Sequence, residues 1–397
     1  MNLNLKDSLH ELAVFSSLYE DETFQAFVDL VDTKLSSDLN WKRKLARFVS
    51  KLYEHSSEDW TEVLTQKVLS VPTCLSKVAA ADREVPERML NTAMVELHTL
   101  SQAAAITPAD FGIVQNLYWT AHSIDLQGEY LNRLMEIDRY GTGLFASAKM
   151  FRLAGGDELK LIPVRTPDPI RFENLYGYEE QHQTMIENIQ ALLQGLPAVN
   201  LLLYGDAGTG KSASIKALEN EFGDQGLRLI EADKDQLAWL PDLLDRLADE
   251  PLKFIVYIDD LSFGENDDSF SALKAVLEGS VSARSDNTVI YATSNRRHLV
   301  KESIEARAGD DMHRRDTLQE TLSLSQRFGR CVFFEKPNAN RYLDLVKSIG
   351  LEYGLDLDHP LLLREAEAFA LSQGGRSARC ARQFVEHQAA LKGMENA

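Results

Sequence analysis

The chain has 397 residues, 44% apolar and 26% charged, with a formal net charge of −19. That length accommodates two or three domains with a sizeable core, and the composition is that of an ordinary globular protein rather than a disordered or fibrous one. The acidic balance excludes broad, sequence-independent binding to DNA or to acidic membranes, which needs a surplus of Lys and Arg, although a small local basic patch is compatible with it.

Cys74, Cys331 and Cys380 stand far apart, without a C-x-x-C pair or zinc spacing, and read as buried reduced thiols rather than a disulfide frame. Met1 to Glu20 lacks a basic-then-apolar leader pattern, and no apolar run approaches the roughly 18 residues of a membrane span. The expectation is a cytoplasmic protein that makes no membrane contact.

From residue 1 to about 155 apolar residues recur at helical spacing: Leu9, Leu12, Phe15 and Leu18, then Phe24, Phe27, Val28 and Val31, then Trp41, Leu45, Phe48, Val49 and Leu52, and at the end Leu131, Leu134, Met135 and Ile137. This predicts an all-α N-terminal domain punctuated by Pro72, Pro86 and Pro108. Trp41, Trp60, Tyr118 and Trp119 are expected in its core rather than in a partner groove. Gly141-Thr142-Gly143 lacks the strand that a nucleotide loop needs and reads as a turn. Residues 156–175, with Gly156, Pro163, Pro167 and Pro169, read as an extended linker.

Residues 176–337 alternate short apolar runs with helical segments, the pattern of a doubly wound α/β unit built on a parallel sheet. The candidate strands are Asn200–Tyr204, Leu227–Glu231, Phe254–Ile258, Thr288–Thr293 and Cys331–Phe334. Residues 338–397 are helical in pattern.

The most informative segment follows the first of these strands. Gly205-Asp206-Ala207-Gly208-Thr209-Gly210-Lys211-Ser212 matches the G-x-x-x-x-G-K-[ST] phosphate loop. Its glycines allow a tight turn whose amides form an anion nest, and the nest opens directly into a helix N-terminus that favours negative charge. Lys211 is spaced to reach β/γ-phosphates, and the Ser212 hydroxyl to ligate Mg²⁺. About fifty residues on, an apolar strand ends in Asp259-Asp260. Ligands in such sheets sit at the carboxyl ends of strands, so Asp259 is a candidate to hold Mg²⁺ beside Ser212, and Asp260 to prepare an attacking water.

Phosphate loop, acidic strand end, a strand ending Ala292-Thr293-Ser294-Asn295, then Ser325-Gln326-Arg327-Phe328-Gly329 and a helical tail follow one another in the order of an AAA+ ATPase. Residues 168–395 resemble one uncharacterised bacterial family of AAA+ proteins known as a domain of unknown function. The resemblance implies a P-loop AAA+ core with a helical C-terminal lid, and ATP bound between core, lid and a neighbouring subunit. It implies sensor 1 duty for Asn295, whose competing role is a helix cap. It implies that Arg327 is the arginine finger offered to a neighbour, with Arg330 as fallback and a solvated surface charge as the bland alternative. Gly177 and Tyr178 match the loop that brackets adenine. In Gly375-Arg376-Ser377-Ala378-Arg379, Arg379 fits the spacing of the lid sensor better than Arg376.

Two departures from the family pattern stand out. Asp260 occupies the position where most active members carry Glu, which sets the carboxylate about one methylene farther from the water. The segment Gln236-Leu237-Ala238-Trp239-Leu240-Pro241 lacks the glycine of a substrate-threading loop, so Trp239 reads as a packing residue. Arg296-Arg297-His298 and His313-Arg314-Arg315 flank Asp310-Asp311, and their near-cancelling charges read as a solvated insertion. The expectation is an ATPase that hydrolyses Mg-ATP to remodel or assemble a protein partner bound through the N-terminal domain. It would work as a homo-oligomeric ring, by resemblance a hexamer. The alternative is an ATP-dependent switch or loader with little turnover.

Overall fold

The computed structural model describes residues 3–35, 40–81, 83–112, 119–156, 158–261, 273–277, 286–295 and 327–395. The chain divides into two compact units, Met1–Ser147 with Glu250–Leu252, and Ala148–Asp249 with Lys253–Ala397.

Helices make up the first unit among its described residues: Leu3–Leu9, Glu22–Leu35, Trp41–Tyr53, Trp60–Ser70, Cys74–Ala80, Glu87–Ala104, Leu126–Met135 and two single turns after it. Local capping sets several boundaries. The Asp59 side chain accepts from the Glu62 amide, and Thr73 and Ser76 form a reciprocal capping box. The core is an aromatic stack. The Phe27 and Trp60 rings lie 4.6 Å apart, and Phe48 stands edge-on to both Trp60 and Trp119 at 5.0 Å. Both buried indoles find acceptors, Trp60 on Ala103 and Trp119 on Ile106. Trp41 packs half-buried against this core, as expected for a packing residue; Tyr118 lies outside the described residues. The buried Glu96 carboxylate accepts the successive amides of Ala13, Val14 and Phe15, which ties the turn after the first helix to the long central one.

The second unit is built on a seven-stranded sheet. Its strands are β1 (Met150–Ala154), β2 (Lys160–Pro163), β3 (Leu201–Gly205), β4 (Leu227–Ala232), β5 (Lys253–Ile258), β6 (Thr288–Ser294) and β7 (Arg330–Phe334). They lie in the order β2-β1-β4-β5-β6-β3-β7. Only the β1–β2 pair is antiparallel. Near-continuous burial of β3, β4, β5 and β6 explains their unbroken apolar runs, since a parallel sheet is covered on both faces. The last strand returns beside the phosphate-loop strand, so β3 is interior rather than an edge.

Cys74 and Cys331 depart from expectation in being exposed, while Cys380 is buried; β1 and β2 are the larger departure. They fall where the sequence reads as the end of the helical region and as a linker. Their signal is weak because β1 pairs with β4, nearly eighty residues later, and short runs beside Gly155, Gly156 and Pro163 look like connections. Trp239 packs its indole across Gly155 at the end of β1, in keeping with a packing role. Helices Ala339–Glu352, Pro360–Ser372 and Ala378–Glu395 form a small cluster with its own core around Tyr342, Val346, Ala381 and Phe384. No described helix is long and apolar enough to cross a membrane.

Glu219 lies on the inner face of the phosphate-loop helix Lys211–Phe222. It is 2% exposed and one of its oxygens has no hydrogen-bond partner. Burial pushes its carboxyl up to about 7, against the pull of Lys149 and Arg228. The folded chain therefore holds this proton more tightly than the unfolded one, whose value is 4.5. The resulting stability is fully present below pH 4.5 and is lost as pH rises through about 7. Glu219→Gln should melt higher than the wild type at pH 8, with the gap closing toward pH 4.5, when both are followed by calorimetry. A pH-independent gap would exclude the buried proton as its source.

Candidate nucleotide site

The phosphate loop is shaped by two glycines that no other residue replaces easily. Gly205 has φ 142°, and a Cβ there would run into the carbonyl of Phe334 on β7. Gly208 has φ 78°, and a Cβ there would lie 3.0 Å from Ser377 Oγ and 3.3 Å from Arg379 Cβ. The start of the last lid helix thus rests on the loop, and the Arg379 amide donates to the Gly208 carbonyl at 3.2 Å. Gly210 caps the helix from a left-handed conformation, while Thr209 Oγ1 bridges back to the Asp206 carbonyl; Ala207 lies between these anchors.

Lys211 is 5% exposed, and its three protons are all committed. Nζ donates to the carbonyls of Gly205 (2.9 Å) and Asp206 (2.7 Å) and to Asn295 Oδ1 (3.1 Å). Burial lowers its pKa, while Asp206, Asp259 and Asp260 oppose that shift.

Asp259 is the second node. Its Oδ1 accepts from Ser212 Oγ (2.9 Å), Thr293 Oγ1 (2.6 Å) and the Asp260 amide (3.0 Å). Burial pushes this carboxyl up, but the Thr293 hydroxyl, the nearby Tyr257 and Ser212 hydroxyls and the Asp260 amide outweigh it, and the net shift is down. Asp259 therefore stays ionised.

Asp260 has φ 46°, one of two non-glycine residues in the left-handed region among the described residues. Such a residue stores about 1–3 kcal/mol of strain that its surroundings must hold in place. Here the Asp260 amide donates to Thr293 Oγ1 (2.9 Å) and the Leu261 amide to the Thr293 carbonyl (2.7 Å), while Asn295 Nδ2 donates to Asp260 Oδ1 (2.8 Å). Asp and Asn tolerate this backbone better than longer side chains. That gives a local reason for Asp where the family pattern has Glu.

Gly177 (φ 86°) and Tyr178 form a separate corner where β7 meets the lid. The buried Tyr178 donates its hydroxyl to the Glu335 carbonyl, and the Arg341 guanidinium lies 5.0 Å above its ring. Burial pushes that hydroxyl up to about 12, against Arg341. The corner is tied to the phosphate loop through His182, which follows Tyr178 on helix Glu179–Leu193. Ser214 donates to the Gly210 carbonyl, so the proton shared with His182 at 3.0 Å belongs to His182 Nε2. Burial pushes His182 down to about 4, which keeps the ring neutral.

The lid arginines separate clearly. Arg376 makes a bidentate fork with Glu367 at 2.9–3.1 Å. Arg379 is exposed beside Gly208, and its charge acts on Lys211. Arg330 is not brought to the loop of its own chain. Arg330 pairs with Leu201 at the start of β3, whereas the loop begins at Gly205, opposite Phe334. Roughly 13 Å of strand separates the two ends. Arg327 is half-buried three residues before β7; Ser325, Gln326 and the basic segment after Asn295 lie outside the described residues.

Sequence reasoning missed Thr293, Tyr257, His182 and Ser214. Hydroxyls in a strand and a histidine in a helix carry no spacing signal, and strand alternation at the acidic end of β5 and at the end of β6 was the one available clue.

A mostly parallel sheet with an interior phosphate-loop strand, the acidic end of β5, Asn295 closing β6 and a helical lid resting on the loop give the second unit the P-loop AAA+ fold. The chain belongs to the family described as protein of unknown function (DUF815), whose model matches residues 146–392. Among solved structures it is similar to two single-substitution variants of RuvB from Thermotoga maritima, at 13% and 12% identity with TM-scores of 0.39 and 0.40. Each match covers 58% of this chain and 67% of the other. No curated protein matches it in sequence.

Thr293 holds both strand ends, so Thr293→Val, which keeps the volume and removes the hydroxyl, should lower the unfolding free energy by about 1–3 kcal/mol. Urea titration followed by circular dichroism measures this. An unchanged midpoint would mean that the Asp259 and Asp260 contacts contribute nothing to the fold.

Proposed function

We propose that the protein binds Mg-ATP and hydrolyses it, using the cycle to remodel or assemble a protein partner. The observation that carries this reading is the convergence of Lys211, Ser212, Asp259, Asp260 and Asn295 at the carboxyl ends of β3, β5 and β6, joined by hydrogen bonds of 2.8–3.1 Å. The domain roles follow the sequence reading: region 1–155 engages the partner, 176–337 binds nucleotide, and 338–397 acts as lid.

The loop amides and helix N-terminus receive the phosphates. Lys211, turned away from the Gly205 and Asp206 carbonyls, directs its charge at the β/γ oxygens. The Ser212 hydroxyl and the ionised Asp259 are hard oxygen donors 2.9 Å apart, a set that suits Mg²⁺. When bound, the cation supplies electrostatic stabilisation of charge on the transferring phosphoryl group. Asp260 takes a proton from water as its oxygen bonds to the γ-phosphorus and the bond to the β–γ bridging oxygen breaks, leaving ADP and phosphate. Asn295 orients Asp260 and that water.

Gly177 and Tyr178 bracket the adenine. The fork that engages Arg376 with Glu367 supports Arg379 as the lid sensor. The place of Arg327 ahead of β7, whose far end meets the loop, supports a finger that acts on a neighbour's ATP, with Arg330 as the alternative. Such a head-to-tail contact closes into a ring or extends as a helix, and by resemblance the ring is a hexamer. A switch with little turnover is the second reading. It is favoured by Asp260, which is short and already engaged by Asn295.

Lys211→Ala should weaken ATP affinity by about two orders of magnitude or more, since each charge-assisted bond to phosphate is worth about 1.5–3 kcal/mol. Asp260→Asn should still bind ATP and hydrolyse it about 100-fold more slowly, the scale of a lost general base. Calorimetry and phosphate release measure the two. Equal ATP affinity in Lys211→Ala removes the phosphate-loop reading, and an unchanged rate in Asp260→Asn selects the switch.

ATP should also promote oligomers in light scattering. Arg327→Ala should bind ATP and hydrolyse it poorly, and mixing it with Lys211→Ala should restore part of the activity. In the mixture each intact loop can meet a neighbour's intact finger. A strictly monomeric wild type with full activity would remove the finger.

A further inference from the structure

Tyr257 carries a hydroxyl that the chemistry above does not use. It sits two residues before Asp259 on β5, so strand alternation puts both side chains on the sheet face covered by the phosphate-loop helix. The residue is fully buried, and its hydroxyl meets hydrogen-bond geometry with no group among the described residues. It nonetheless faces Asp259, Ser212 and Thr293 closely enough to interact with all three. Tyr291, directly opposite in register on β6, shows the contrast: its equally buried hydroxyl receives a hydrogen bond from Asn188 at 2.8 Å. An orphaned buried hydroxyl is costly and calls for a reason.

The reason lies in the crowding at Asp259. One carboxylate oxygen accepts three donors, Ser212, Thr293 and the Asp260 amide. Three donors fill that oxygen and leave no place on it for a fourth. We propose that Tyr257 is a positioning residue for the divalent-cation site, donating its hydroxyl to Asp259 once Ser212 turns its oxygen toward the metal. The withdrawal of Ser212 frees acceptor capacity on the carboxylate, and the tyrosine is already buried beside it. Held from beneath by Tyr257 and Thr293, Asp259 keeps its orientation toward the cation. Groups that orient a metal ligand from behind tune affinity without touching the metal. The inference rests on the Mg-ATP reading and adds the group that sets the cation dependence.

The test uses Tyr257→Phe, which removes the oxygen and keeps the ring. Calorimetry with ADP is run in EDTA and across a Mg²⁺ series, and Mn²⁺ binding to the ADP-loaded protein is followed by electron paramagnetic resonance. In Tyr257→Phe the half-saturating Mn²⁺ and Mg²⁺ concentrations should rise roughly tenfold, the lower end for an outer-shell partner, with ADP affinity in EDTA unchanged. Tyr291→Phe loses a satisfied hydrogen bond on the neighbouring strand and should leave the cation dependence as in the wild type. An unchanged half-saturation in Tyr257→Phe, or an equal rise in both variants, overturns the role of Tyr257 alone. A wild type that binds no ADP under any condition overturns the nucleotide reading and this inference with it.

Discussion

A lysine ammonium taken out of water must find acceptors, and this requirement organises the second unit. Lys211 is buried at the start of its helix, and its three protons are met by two loop carbonyls and the Asn295 side chain. The carbonyls are available because Gly205 and Gly208 hold positive φ and turn the loop inward. Asn295 is available because β6 lies next to β3 in the sheet, although nearly ninety residues separate the two strands in sequence. A fold that failed to bring these strands together would leave a charge buried without compensation.

The same strand ends carry the opposite charge. Asp259 and Asp260 lie within the field of Lys211, and Asn295 links the lysine to Asp260 through its two amide atoms. Asp260 is held in a strained backbone by hydrogen bonds to the end of β6, through Thr293 and Asn295. Strain and saturation together describe a site organised by its own groups: Lys211, Asp259 and Asp260 each have hydrogen-bond partners within it.

The lid is connected to this centre by backbone as much as by charge. The Arg379 amide on the Gly208 carbonyl makes the position of the last helix a direct readout of the loop, while the Arg376–Glu367 fork stiffens the lid internally. Tyr178 and His182 do the equivalent on the other side, joining the corner beside β7 to the first turn of the phosphate-loop helix. Movement of the loop is thereby felt by both elements that would flank a nucleotide.

The sequence by itself determined what local rules can encode. The glycine spacing and Lys211-Ser212 specify a phosphate loop wherever strand and helix flank it, the five apolar runs mark five strands, four of them buried, and helical periodicity marks the first unit with Trp60 and Trp119 inside. What depended on distant partners stayed hidden. β1 is a strand because β4 offers it an edge and β2 because β1 does, and nothing in Met150–Ala154 announces a partner nearly eighty residues away. Which of two lid arginines remains available was decided by Glu367. Why Asp stands at 260 was decided by a left-handed backbone that Thr293 and Asn295 hold. The crowding of three donors on Asp259, and the tyrosine left over beneath it, exist only because β5, β6 and the phosphate-loop helix meet at one point. Hydrogen bonds between strands are set by register and burial, and these belong to the assembled sheet rather than to any stretch of sequence.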